Sequence, residues 1–274
     1  MDDNFTAVVT GGNRGIGYAV AAELVRRDCR VVLVARDRER GERAAAALGG
    51  SVGLVVGDLS VLSEVRSVAN ELMERSEQID VLVHNAGVWP ARLVRTPDGL
   101  EQAFAVNHLA PFLLNHLLEK RFLEGRTRVV QVSAGLYVKG RLDVDRTPTG
   151  ADFHRMRTYC TTKLANLLMV PLFARRWQGT GVTIDAIHPG VIRTGLGDPG
   201  GVLGLVLKAM KRSWAAPEQG AAPVVRLALE PGDASGRYFD ADRQVPLEPV
   251  AADQALAQRV WEQAKMLTGV RGVA

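Results

Sequence analysis

The chain has 274 residues, room for one large domain or two small ones and for a sizeable core without disulfides. Hydrophobic residues make up 47% and charged residues 23%, which excludes a disordered chain. The 34 Lys and Arg against 30 Asp and Glu leave a formal net charge of +4; 28 of the cations are Arg, and they are scattered rather than gathered into a nucleic-acid arm.

The elements alternate from the start. Residues 6–10 read as a strand, a glycine-rich turn follows, and 16–27 read as a helix before a second strand at 30–35. Strand, turn, helix and strand at this spacing make a βαβ unit. Residues 52–56 form a third strand and 60–75 a helix; 81–84 a fourth strand and 100–119 a long helix. A fifth strand at 128–132, a long helix at 158–177, a sixth strand at 182–187 and a short seventh at 236–239 complete the series. The strands are β-branched at nearly every position without alternation, the pattern of strands buried on both faces of a parallel sheet. No linker or repeat interrupts the series, so a single domain over 1–274 is expected. Two stretches break the rhythm, 134–157 and 192–216, and insertions after parallel strands are where ligands bind.

Cys29 and Cys160 are too few for a disulfide framework or a zinc site and suit a reducing cytosol. The five histidines show no metal spacing, so no metal is expected; His154, in the 134–157 insertion, is read as an exposed polar residue. The start Met1-Asp2-Asp3-Asn4 lacks the basic and apolar regions of a secretory signal. No run of about 18 apolar residues occurs. The expectation is a cytoplasmic chain with no transmembrane anchor.

The first motif is Thr10-Gly11-Gly12-Asn13-Arg14-Gly15-Ile16-Gly17, between a strand and a helix. Glycines let a backbone approach a pyrophosphate, and a helix N-terminus offers N–H groups to it. Further motifs follow in order: Gly57-Asp58-Leu59 after the third strand, Asn85-Ala86-Gly87 after the fourth, Ser133 at the end of the fifth, and Tyr159-Cys160-Thr161-Thr162-Lys163 on a helix.

This ordered set resembles the short-chain dehydrogenase/reductase family over nearly the whole chain. The 106–112 segment, Lys163-Leu164-Ala165-Asn166, Gly179-Thr180-Gly181 and His188-Pro189-Gly190-Val191 are similar to its retinol dehydrogenase and WW-domain oxidoreductase branch. The resemblance implies a Rossmann fold, a doubly wound parallel sheet of about seven strands with helices on both faces. Residues 6–60 would form the cofactor half and 133–194 the catalytic and nicotinamide segment. Two positions depart from the family: His84 stands where Asn is usual, and Ala134 where a second Ser is frequent.

The resemblance assigns catalytic roles to Asn107, Ser133, Tyr159 and Lys163. Ser133 would orient the substrate oxygen, Tyr159 would give or take its proton, and Asn107 would hold a water in a relay to Lys163. Lys163, four residues after Tyr159, shares its helix face, and its ammonium is expected to lower the phenol's pKa. The cofactor would be held by Gly11, Asn13, Arg14, Gly15, Ile16, Gly17, Arg36, Asp58, Leu59, Asn85, Ala86, Gly87, Tyr159, Lys163, Pro189, Gly190, Val191 and Thr194. At the ribose end NAD-using relatives carry an acid where Ala35 stands; Arg36 follows it and Arg14 lies nearby in the turn, so NADP(H) is expected.

Substrate choice is read from 192–216. Val202, Leu203, Leu205, Val206, Leu207 and Met210 cover a short apolar helix after Gly195, Gly197, Gly200 and Gly201. It reads as a lid over a bulky, apolar carbonyl or alcohol; permanent packing, a subunit contact, or membrane contact aided by Lys208, Lys211 and Arg212 are its alternatives. The expected partner is that small molecule, not nucleic acid, in a monomer or homodimer. The rival reading is an NADPH-binding regulatory or sensor protein without turnover.

Overall fold

The computed structural model describes residues 5–190, 216–230 and 232–270. Its strands are β1 (Thr6–Thr10), β2 (Arg30–Ala35), β3 (Val52–Val56), β4 (Val81–His84), β5 (Arg128–Val132), β6 (Thr183–His188), β7 (Tyr238–Asp240) and β8 (Arg243–Gln244). They form one sheet in the order β3-β2-β1-β4-β5-β6-β7-β8, parallel except for the last pair. Eight strands replace the expected seven. β8 is two exposed residues after a tight turn, too short to leave a hydrophobic pattern in the sequence.

Helices cover both faces: α1 (Gly15–Val25), α2 (Arg38–Leu48), α3 (Leu62–Arg75), α4 (Gln102–Phe104), α5 (Ala110–Leu117), α6 (Glu119–Gly125), α7 (Arg155–Arg176), α8 (Pro217–Leu229), α9 (Pro249–Ala252) and α10 (Gln254–Thr268). Alternate residues of each strand point to opposite cores. Ala7, Val9, Leu33 and Val130 pack with Val20 and Leu24 of α1 and Val224 and Leu227 of α8. Val8, Val32, Leu82 and Val129 pack with Val68 of α3, Phe112 of α5, Leu168 of α7 and Val260 of α10. Two buried faces explain why most strand positions read apolar without alternation.

The helix expected over 100–119 is not continuous. Glu101 caps α4 by accepting from the Phe104 N–H at 2.7 Å. A π-helical turn at Ala105–Leu109 follows, and α5 gives way to α6 at Leu118. Residue 111 is proline, which cannot donate to the Asn107 carbonyl as an α-helix requires, and its ring crowds that carbonyl. The widened turn accommodates both constraints. At α7, His154 is an exposed N-cap whose ring nitrogen accepts from the Arg157 N–H at 3.4 Å.

The chain leaves β1 toward β2 and β3, then returns to place β4 on the other side of β1. The crevice between the C-terminal ends of β1 and β4 is the switch point of a doubly wound sheet, where such folds bind ligands.

Candidate active site

Thr10 and Asn85 build the floor of this crevice. The Asn85 side-chain amide donates to the Thr10 and Gly11 carbonyls at 2.9 and 3.2 Å. The Thr10 hydroxyl accepts from the N–H groups of Asn85 and Ala86 at 3.1 and 3.0 Å. Two loops from adjacent strands are thus locked together by a threonine that the motif contains but whose role its spacing does not reveal. The close approach depends on glycine. Gly11 has φ +64, and a Cβ on Gly17 would stand 2.3 Å from the Asn85 Nδ2 and 2.4 Å from the Gly11 oxygen. Arg14 is the exposed N-cap of α1 and offers no side-chain acceptor to the helix's first N–H groups. A closely packed glycine turn leading to uncapped N–H groups fits a dinucleotide's pyrophosphate. Asn13 and Gly15 lie in this turn; Ile16 packs against the apolar core, leaving its main chain for any cofactor contact.

At the far side of the crevice, Arg36 follows β2 with its side chain 65% exposed and its Nη1 3.7 Å from the Asp58 carboxylate. Asp58 also accepts from the Ser60 N–H at 2.9 Å, while Leu59 turns its side chain into the core. Arg36 is held at the crevice mouth by a weak, exposed pairing, free to take another anion.

On the opposite side, the C-terminal end of β5 meets α7. Ser133 is buried, and its hydroxyl is without a hydrogen-bond partner. Lys163 is 4% exposed; its Nζ donates to the Val132 carbonyl at 3.1 Å, next to Ser133, and stands 5.9 Å from the centre of the Tyr159 ring. A Cβ on Gly87 would meet the Asn107 Oδ1 at 3.5 Å and the Lys163 Nζ at 3.8 Å. Ser133, Tyr159, Lys163, Asn107 and Gly87 therefore gather beside the β4–β5 edge. Pro189 and Gly190, with φ +91 at the glycine, leave β6 next in the sheet. Val191, Thr194 and the 192–215 part of the expected lid lie outside the described residues.

Asn107 is fixed more tightly than its motif suggests. Its Oδ1 accepts from the Val88 N–H at 2.7 Å, and its Nδ2 donates to the Val88 carbonyl and the Thr162 hydroxyl at 3.0 Å each. The side-chain amide is spent on bracing the β4 loop to α7. Any water held by this residue would sit on its main-chain carbonyl, which Pro111 deprives of the α-helical donor.

One electrostatic expectation is corrected. Tyr159 is not brought below the usual phenol range; burial pushes its pKa up from 10.0 to about 12. Burial pushes Lys163 down from 10.5 to about 8. Desolvation acts on both members of the pair and disfavours both charges, and at this separation the ammonium does not offset it. Trp89, which the sequence reading passed over, stacks on Tyr159 with ring centres 4.5 Å apart and planes 14° from parallel. Position 89 carries no motif, and only proximity in the fold brings it to the site.

Among the described residues no group of His, Cys, Asp and Glu could hold a metal ion, and no helix is long and apolar enough to cross a membrane. Neither Cys29 nor Cys160 is in a disulfide, and both are buried. A family model for short chain dehydrogenases matches residues 5–199. Human retinol dehydrogenase 13 is 37% identical over 97% of this chain and 85% of its own length. The bovine dehydrogenase/reductase SDR family member 13 is 39% identical over 97% of this chain and 73% of its own. A crystal structure of an uncharacterized protein from Mycobacterium Paratuberculosis superposes with a TM-score of 0.78 at 29% identity, covering 97% of this chain and 93% of that one. With this fold and these relatives, the chain belongs to the short-chain dehydrogenase/reductase family of oxidoreductases, in its retinol dehydrogenase-like branch.

Proposed function

We propose that the protein transfers hydride between NADP(H) and the carbonyl or alcohol carbon of a bulky, largely apolar substrate, with Tyr159 as the general acid and base. The observation that carries this reading is the meeting of three groups: the partnerless Ser133 hydroxyl, the Tyr159 phenol, and Lys163 tied to the carbonyl beside Ser133. When bound, the nicotinamide supplies or accepts the hydride. Ser133 then donates a hydrogen bond to the substrate oxygen and fixes its position. A phenol held neutral by burial has the proton that a carbonyl oxygen needs as it becomes an alkoxide. Lys163 binds the nicotinamide ribose hydroxyls, and Asn107 holds a relay water at its main-chain carbonyl.

The glycine turn of 10–17 with Asn85, Ala86 and Gly87 takes the pyrophosphate and the floor of the cofactor. Arg14 and Arg36 take the 2′-phosphate through planar forks of donors, Asp58 and Leu59 border the adenine, and Pro189, Gly190, Val191 and Thr194 the nicotinamide. An apolar substrate is supported by the names of the retinol dehydrogenases among the relatives. It is also supported by exposed Leu93, Val138 and Met156, on the segments leaving β4 and β5 and entering α7. The protein is a single cytoplasmic domain, monomeric or dimeric. Presence of Ser133, Tyr159 and Lys163 together weighs against a sensor without turnover.

The test is NADPH consumption against a size series of carbonyls, from small oxo-acids through medium-chain aldehydes to all-trans-retinal. kcat/KM is expected to rise with apolar bulk. A higher value for small polar carbonyls overturns the substrate class, and no consumption with any of them favours the sensor.

A further inference from the structure

Trp89 is held from three directions. The residue before it, Val88, has both its N–H and its carbonyl tied to the Asn107 side chain at 2.7 and 3.0 Å, which fixes the main chain. The indole N–H donates to the Arg155 carbonyl at 2.9 Å, in the first turn of α7. The indole face lies on the Tyr159 ring one turn further along the same helix, with planes 14° from parallel. The Arg155 guanidinium carbon stands 5.8 Å from the indole centre, and the Lys163 ammonium 5.9 Å from the Tyr159 ring centre. Arg155, Tyr159 and Lys163 recur every four residues on one face of α7, and the indole lies against that face.

We propose that Trp89 is a positioning residue for Tyr159, holding the phenol ring in one orientation and shielding its face from water. This rests on the reading of Tyr159 as the proton donor. The hydroxyl of a tyrosine lies far enough from the backbone that a modest rotation about the Cα–Cβ bond, which swings the whole ring, displaces it beyond reach of a carbonyl oxygen. A displacement of about 1 Å at a reacting group lowers rate by about a hundredfold. Here a flat, hydrogen-bonded neighbour stacked on the ring resists that rotation. The same cover keeps solvent from the ring and so contributes to the burial that keeps the phenol protonated.

The test compares wild type with Trp89→Phe, Trp89→Leu and Trp89→Ala, with Tyr159→Phe alongside, using NADPH and either decanal or all-trans-retinal. Trp89→Phe keeps an aromatic face and is expected to keep turnover within about threefold. Trp89→Leu keeps apolar volume without that face, and Trp89→Ala keeps neither. Both are expected to lower kcat about tenfold to a hundredfold with the Kd for NADPH unchanged. Water reaching the ring stabilises the phenolate, so the phenol should ionise at lower pH. A readout independent of substrate is the ultraviolet phenolate band of Tyr159, isolated by subtracting the matching Tyr159→Phe protein. It should appear at lower pH in Trp89→Leu and Trp89→Ala than in wild type. If Tyr159→Phe abolishes turnover while the Leu and Ala variants keep wild-type kcat and phenolate titration, the positioning role is wrong and the proton-donor reading stands. If Tyr159→Phe keeps turnover, the proton-donor reading falls and this one with it.

Discussion

The two sides of the crevice achieve their chemistry in opposite ways. On the β1–α1 side, function comes from what is missing: glycines at 11 and 17 leave room for backbone and for Asn85, and Ala35 is followed by an exposed arginine. On the β5–α7 side it comes from polar groups kept where solvent cannot reach them, Ser133, Tyr159 and Lys163 all being buried. The first side presents uncapped backbone N–H groups and exposed guanidinium groups to the crevice. The second holds Tyr159 and Lys163, whose charged forms burial disfavours.

The sharpest break in this comparison is on the buried side. Tyr159→Phe should lower kcat by about 10²- to 10⁴-fold, because the lost proton donor acts only as the transition state forms. The Kd for NADPH, set mainly across the crevice, should stay within about twofold. Retained turnover on a confirmed substrate would sink the assignment. Lys163 adds a pH dependence: the proposed mechanism uses its protonated form, and burial lowers its pKa from 10.5 to about 8. kcat/KM for reduction should therefore fall as pH rises through about 8, and a profile flat to well above that value would remove Lys163 from the mechanism.

Buried titratable groups also extend beneath this side of the site. His84 bonds the Asn115 side chain at 2.8 Å, and the buried His108 has the Asn166 side chain as its polar neighbour. Burial pushes both from 6.5 down to about 4. An unfolded chain takes up these protons near the ordinary histidine value, while the folded one resists until much lower pH. Their contribution to stability is thus present above pH about 6.5 and lost as pH falls toward about 4, up to about 3 kcal/mol for each. Buried Glu101, whose pKa burial raises, works with the opposite sign and offsets part of the loss. Urea unfolding at a series of pH values should show the decline, and His84→Asn should flatten it. A slope unchanged by that substitution would place the acid sensitivity elsewhere.

On the glycine side, Gly17→Ala should cost about 1–3 kcal/mol through overpacking, since its Cβ would press on the Gly11 oxygen and Asn85 together. Cofactor affinity should fall with it, because yielding to the methyl group displaces the turn. Calorimetry on the variant would show both. Wild-type affinity in a destabilised variant would mean that the turn does not carry the pyrophosphate.

The contrast between the sides also explains what the sequence could disclose. Strands buried on both faces, the glycine spacing after β1, and Tyr159 with Lys163 on one helix face are local patterns, and each was legible. Trp89 was not, because its contacts with Tyr159 and Arg155 join segments that only the fold brings together. Nor was the double anchoring of Asn107 on Val88 and Thr162, although Pro111 announces the irregular turn that carries it. The direction of the Tyr159 shift was misread for the same reason. Spacing shows that a lysine is near, but burial is a sum over many distant segments, and here that sum decides.

The smallest effect lies at the ribose end, and it separates the two sides most cleanly. Arg36 is 65% exposed and only loosely paired with Asp58 at 3.7 Å, so taking a phosphate costs little prior contact. Two guanidinium groups and no carboxylate at position 35 should favour NADPH over NADH by at least about tenfold in Kd, about 1.4 kcal/mol. Because the pairing is exposed, the preference should shrink as ionic strength rises. Ala35→Asp with Arg36→Ile places a carboxylate where it binds ribose hydroxyls and repels a 2′-phosphate, and should turn the preference toward NADH. Turnover with the preferred cofactor should change little, since Ser133, Tyr159 and Lys163 lie across the crevice. Equal dissociation constants for the two cofactors in wild type at moderate salt would show that Arg14 and Arg36 are solvated charges only. A swap that altered the pH profile would show that the two sides are not independent.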